Sequence, residues 1–144
     1  MKTYEEMDNK EKKKYLRSYK DCSRRISRIE AEIEEIRSMK INPSLRCDGM
    51  PHGNGISDLS EYASELDKLE REAYKKGVEQ IKLYKEIQYN IKQLENETER
   101  DVLFWRYIKG LDWWKVASKM NYTERWVLDI HKKALEHLKI KKSS

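Results

Sequence analysis

From Glu11 to Met39 the less polar side chains recur at Tyr15, Tyr19, Cys22, Ile26, Ile29, Ile33 and Ile36, alternately four and three residues apart and with no glycine or proline between them. A mean spacing of 3.5 residues gathers all seven on one stripe of an α-helix, whereas a strand would scatter them over both faces. A second run, from Asp58 to about Leu94, repeats the pattern with Leu59, Ala63, Leu66, Leu69, Ala73, Ile81, Tyr84, Ile87, Ile91 and Leu94. Charged residues make up 40% of the 144 and hydrophobic ones 38%, so a large spherical core is out of reach. Long helices that each bury one stripe resolve the conflict, since charge can occupy every other face. Pairs one turn apart, such as Arg28 with Glu32, then support the solvated side.

Between the two runs, Ile41 to Ser57 holds both prolines and three of the five glycines, which makes it a loop. Pro43 ends the first helix, and Asp58-Leu59-Ser60-Glu61 reads as a capping box for the second. A loop this long lets the helices fold back, so residues 1–95 are expected to form a long antiparallel, coiled-coil-like hairpin with its loop at 41–57. That loop reads as a connector; the functional alternative is a contact loop presenting Arg46, Asp48, Met50 and His52. His52 with Cys47 and Asp48 matches no common zinc spacing, so no metal is assigned. Gly77, in mid-helix, costs on the order of 1 kcal/mol and is expected to mark close approach of a neighbour or a mild bend. One stripe per helix leaves Tyr62, Tyr74, Leu83 and Tyr89 partly uncovered, which points to packing on the remaining domain or to self-association as a homo-oligomer.

After Glu95 the periodicity changes, and residues 96–144 are expected to form a small three-helix helix-turn-helix domain. Asn96 with Glu99 reads as a capping box for a helix to about Lys109, with Val102, Leu103, Tyr107 and Ile108 inward and Gly110 as its left-handed C-cap. Asp112 can accept from the free N–H groups of the next helix, whose Val116, Ala117 and Met120 form a small apolar face. Asn121, Tyr122 and Thr123 make the turn. Thr123 is the N-cap of a last helix with Val127, Ile130, Ala134 and Leu138 inward. Arg125, Leu128, Asp129 and Lys132 then face outward, and Lys132, Lys133 and Lys139 sit towards the C-terminal part of that helix, where cations suit the helix dipole.

Trp113 and Trp114 are adjacent and cannot both enter one small core, so at least one should cover the hairpin, a second subunit or a partner. Packing on the hairpin is the simplest of the three. Trp126 either faces out or covers the end of the three-helix core. His131 and His137 read as helix-surface groups, because no nucleophile or carboxylate pair accompanies them; no catalytic residue and no cofactor is assigned, and an enzyme is not expected. The net charge of +5 permits a polyanionic partner without demanding one. Basic residues gather at Lys10 to Lys14, which reads as a solvated face, at Arg24, Arg25 and Arg28, and at Lys132 to Lys142. With no signal peptide, membrane span or metal-spaced cysteine pair, a cytoplasmic setting is expected, Cys22 being a small buried hydrophobe.

The run from Thr123 to Leu138, with Glu97-Thr98-Glu99-Arg100-Asp101-Val102-Leu103, Arg106-Tyr107, Gly110-Leu111 and Val116-Ala117 before it, resembles the C-terminal domain of bacterial sigma factors, which reads the upstream promoter element. Taken with the loop phrase Asp48-Gly49-Met50-Pro51-His52-Gly53, the whole order of elements is similar to phage and prophage regulators of the ArpU-like and RinA-like kind. That resemblance implies binding of promoter DNA, control of late or packaging genes, and RNA polymerase as a further partner. Carried over residue by residue, base and phosphate contacts fall on Thr123, Glu124, Arg125, Leu128, Asp129, Lys132, Lys133 and Lys139. Leu128 and Asp129 stand where sigma factors tend to carry basic or amide residues, so the sigma-type target sequence is not implied. The competing classes are a small terminase subunit and a phage assembly or adaptor protein that binds no DNA.

Overall fold

The computed structural model describes residues 7–41 and 55–142, whose regular structure is all helical, with no strand among them. The elements are α1 (Asn9–Ile41), α2 (Gly55–Lys92), α3 (Glu97–Leu103) running into a π-helical turn (Phe104–Ile108), α4 (Trp113–Met120) and α5 (Glu124–His137). The expectations on Pro43, Arg46, Cys47, Asp48, Met50, His52 and the phrase 48–53 lie outside the described residues. No helix among them is long and apolar enough to cross a membrane.

In α1 the expected stripe is the buried one, with Tyr15, Cys22, Ile29 and Ile33 inside and Tyr19, Ile26 and Ile36 partly covered. Two of its buried residues lie outside the expected set: Leu16, which flanks the stripe, and Lys12, 7% exposed, which extends it by one turn. The reading of Lys10 to Lys14 as a solvated face is therefore corrected at Lys12. In α2 two expectations fail. The helix begins at Gly55, so Asp58 lies within its first turn and cannot be the N-cap. The buried stripe of α2 also differs from the expected one at both ends: Leu59 and Ala63 are exposed at its start, and further along Ile81 is 58% exposed and Tyr84 38%, whereas Leu83 packs on the core. Strict three-four alternation from Leu66 passes through Leu69, Ala73, Lys76, Gln80, Leu83, Ile87, Asn90 and Leu94, every one of them buried or partly buried. Polar side chains at three of those positions hid the register, because a search for apolar residues skips them.

Contacts divide the chain into two compact units, Ser23–Glu79 and Met1–Cys22 with Gln80–Ser144. The first is held by Ile29, Ile33 and Leu69, flanked by Ile36, Leu66 and Ala73, with Arg37 Nη2 2.8 Å from Glu70 Oε1 on its surface. Its apolar content is small. The second unit carries the larger core, in which Tyr15 and Leu16 of α1 meet Ile87, Ile91 and Leu94 of α2, Leu103 and Tyr107, and Ala134, Leu135, Leu138 and Ile140 at the C-terminal end.

Polar atoms inside this second unit are matched in detail. Asn90, 1% exposed, donates from Nδ2 to the Lys141 carbonyl at 3.1 Å and to Tyr15 Oη at 3.2 Å, while its Oδ1 accepts from the Lys141 N–H at 3.1 Å. Tyr15 in turn donates to Glu86 Oε1 at 2.7 Å; burial, reinforced by that carboxylate, pushes its phenol pKa upward. Lys12 Nζ donates to the Leu135 carbonyl at 2.6 Å, placing a cation on the last turn of α5, where the orphan carbonyls and helix dipole favour it. Burial lowers the Lys12 pKa, and the Glu136 carboxylate opposes the shift.

The third helix does not continue as α-helix to Lys109: five residues from Phe104 to Ile108 are π-wound, and the Lys109 N–H reaches back to the Phe104 carbonyl at 3.1 Å. Gly110 follows at φ 68°, the left-handed residue that the sequence calls for. At the other end Asn96 caps α3 by accepting from the Glu99 N–H at 3.1 Å. Glu99 does not complete the box, because its carboxylate turns to His137 instead.

A Cβ at Gly77 would meet nothing within 4 Å, so close approach of another described part of the chain is not the reason for the glycine. With that space free and a helical backbone, Gly77→Ala should stabilise the protein by roughly 0.5–1 kcal/mol, through helix propensity and a less flexible unfolded chain. A thermal midpoint a few degrees above the parent's in a calorimetric scan is the expected outcome. An unchanged or lower midpoint would show that the position needs glycine for another reason.

Candidate nucleic-acid interface

Helices α4 and α5 are set by a three-residue turn whose geometry follows from its residues. Asn121 adopts the left-handed conformation (φ 58°, ψ 41°), which asparagine tolerates better than most side chains. The Tyr122 N–H then closes back on the Ala117 carbonyl at 3.0 Å, ending α4. Thr123 Oγ1 accepts from the Trp126 N–H at 3.1 Å and starts α5, as its sequence position implies. Asp112 differs from expectation. It stands at the start of α4 in extended conformation, but its side chain makes no capping hydrogen bond; only its carbonyl accepts, from Lys115 and Val116.

Beneath the turn, Val116 and Ala117 of α4 meet Val127 and Ile130 of α5 and Val102 of α3, with Trp105, Leu111, Trp113 and Met120 around them. Ala117 is 5% exposed, and its single methyl group is what lets the two helices approach at that point. Once Val127, Ile130, Ala134 and Leu135 face inward, helical periodicity puts Glu124, Arg125, Leu128, Asp129 and Lys132 on the other side, and all five are exposed. Lys133 is exposed as well, on the flank next to Trp126 and Asp129. Arg125, Lys132 and Lys133 make no ion pair among the described residues. Lys139 is exposed, but α5 ends at His137, so Lys139 belongs to the segment after the helix and not to its last turn.

One of the two histidines of α5 departs from the sequence reading. His131 is 7% exposed, with Nε2 2.7 Å from Tyr107 Oη and its ring 4.6 Å from that of Trp113, edge to face. Burial first, then the positive charges of Lys13, Arg106 and Arg17, lower its pKa from 6.5 to about 4, so it is a neutral core residue and not a surface group. Its position one turn past Val127 and beside Ile130 carried that signal, which the polar character of histidine masked. His137 does lie at the surface, where its Nδ1 is 3.0 Å from the buried carboxylate of Glu99.

The paired tryptophans separate as expected, one into the α4–α5 core and one to the surface. Trp113 packs on His131 and carries the Arg106 guanidinium 4.5 Å above its ring, while Trp114 is 58% exposed with Lys115 Nζ 5.3 Å from its ring centre. Trp126 is 48% exposed. Together with Tyr122, Asp129 and Lys133 it lines a groove of about 160 Å³ that reaches Asn96 and Thr98 of the third helix. A larger hollow of about 550 Å³ lies between the end of α2 and the end of α5, lined by Glu95, Glu99, Glu136, His137 and Lys139 among others. Its lining mixes both signs of charge, and no group of three or more His, Cys, Asp or Glu among the described residues is placed to hold a metal ion.

The described residues thus define an all-helical protein in which one terminal helix has a buried face and a free, charged face. The chain belongs to the family described as protein of unknown function (DUF1492), which matches residues 60–139 and so runs from α2 to just past α5. No curated protein and no solved structure shows significant similarity to it.

His131 gives the fold a pH dependence of definite sign. The unfolded chain takes up a proton below pH 6.5 that the folded chain refuses until about pH 4, so this contribution to stability is complete above pH 6.5 and is lost as the pH falls towards 4. Between pH 7 and 5 the parent should lose about 2 kcal/mol through this residue. Urea unfolding at both values should show a smaller loss for His131→Gln than for the parent; equal losses would remove His131 as the cause.

Proposed function

We propose that this protein is a phage or prophage transcriptional regulator that binds promoter DNA through α4 and α5 as a sigma-like helix-turn-helix and controls late or packaging genes. The observation that carries the reading is the free outer face of α5. Thr123 and Asn121 fix the helix start, Ala117 brings α4 against it, and Arg125 and Lys132, in its first and third turns, are left with no intramolecular ion pair among the described residues. A recognition helix needs that combination: a rigid inner face for placement, and outward side chains in its first turns for base edges and phosphates.

In this reading α1 and α2 form the antiparallel hairpin that supports the reading head. Its support is the order of the pairs within one unit, since Tyr15 meets Asn90, while Tyr19, further along α1, meets Tyr84, earlier in α2. A homodimer follows as the simplest assembly, because twofold half-sites suit a helix-turn-helix protein. RNA polymerase is the second partner that promoter binding would bring near. Exposed Trp114 and Trp126 favour a second reading, a phage assembly or adaptor protein that uses those rings to hold another protein.

Two measurements separate the readings. Arg125→Ala should weaken binding to a selected duplex by about 1–3 kcal/mol in a gel-shift titration, and equal affinity of variant and parent would deny Arg125 a place on the bases. Replacing Lys132, Lys133 and Lys139 by alanine should flatten the dependence of log K on log salt, by up to about 0.9 for each phosphate that a lysine no longer neutralises. An unchanged slope would move the DNA to another surface, and an absence of DNA binding by the parent would favour the adaptor.

A further inference from the structure

Leu128 is 44% exposed on the second turn of α5, joins none of the apolar clusters, and is surrounded by charge: Arg125 one turn before, Asp129 beside it and Lys132 one turn after. A leucine in that place belongs to no apolar core among the described residues. If α5 enters a major groove, Leu128 sits where its neighbours reach the base edges, and the apolar feature that a base pair ordinarily offers there is the C5 methyl group of thymine. The charged neighbours supply complementary selections, since Arg125 can donate twice to guanine O6 and N7, and Asp129 can accept from the cytosine amino group and is repelled by phosphates.

We infer that Leu128 is a specificity-determining residue, which places its side chain on a thymine methyl group at the base pair next to the one that Arg125 reads as guanine. The inference rests on the DNA-binding reading above and deepens it: α5 selects duplexes holding adjacent guanine and thymine contacts, and reads the thymine by its methyl group and not by a hydrogen bond. In zinc fingers, recognition residues three apart on the helix fall on successive bases, the spacing that separates Arg125 from Leu128.

The test uses the full-length protein and a random-sequence duplex pool enriched by repeated binding and recovery. The enriched duplex is then resynthesised with uracil in place of thymine, one position at a time, which removes a methyl group and leaves base pairing unchanged. One position beside a conserved guanine should lose roughly fourfold in affinity, the effect of withdrawing one buried methyl group. Leu128→Ala should bind the thymine and uracil duplexes equally, and Leu128→Met, which keeps an apolar side chain of similar reach, should restore the preference. Far-ultraviolet circular dichroism and the thermal midpoint of both variants should match the parent, since the residue is exposed. Enrichment of a duplex whose affinity is insensitive to every uracil substitution would overturn this inference and leave DNA binding standing. Failure to enrich any duplex would overturn both together.

Discussion

Everything in the Gln80–Ser144 half of the chain depends on the burial of one side of α5. Val127 and Ile130 seal the core under the α4 turn, and Ala134 and Leu135, followed by Leu138 and Ile140 just past the helix, seal the core that takes in the first turns of α1 and the last turns of α2. The helix is therefore a common wall of two apolar clusters, and its rotation about its own axis has no freedom left. Its outer face is a consequence of that constraint. Were α5 rolled by a quarter turn, charged side chains would enter both clusters, at a cost of several kcal/mol for each unpaired charge.

Polar interactions then hold what burial alone leaves loose. Apolar contact is non-directional and would permit the C-terminal segment to slide along α2. The paired hydrogen bonds between the Asn90 side chain and the Lys141 backbone admit one register, and the Lys12 ammonium on the Leu135 carbonyl does the same for the last turn of α5. Glu99 with His137, and His131 with Tyr107, tie α5 to the third helix in the same way. Each of the buried groups among these has a partner, which is the condition under which such groups specify a structure and do not merely weaken it.

Much of this organisation was legible in the residues. The two long helices, the Asn96 and Thr123 caps, the left-handed Gly110, and the outward set from Glu124 to Lys133 follow from periodicity and capping chemistry, which act over one or two turns. What escaped was decided by partners far along the chain. Lys12, Asn90 and His131 look like surface residues because their types usually are; each is buried since a carbonyl, a backbone edge or a phenol some 24 to 123 residues away satisfies it. The α2 register was lost at Lys76, Gln80 and Asn90 because polar residues there fill places that an apolar pattern reserves for hydrophobic ones, and Lys139 fell outside α5 because the helix stops at His137.

By itself the sequence determined that the chain is helical, where most helices begin and end, and which faces are apolar, because these are matters of local backbone geometry and of spacing along one helix. Only the tertiary structure decided which polar residues go inside, how α4 and α5 are held, and which side of α5 is left free to meet a partner. Burial is a property of neighbours in space. A lysine, an asparagine or a histidine can go inside only when the fold supplies the atom that replaces its water.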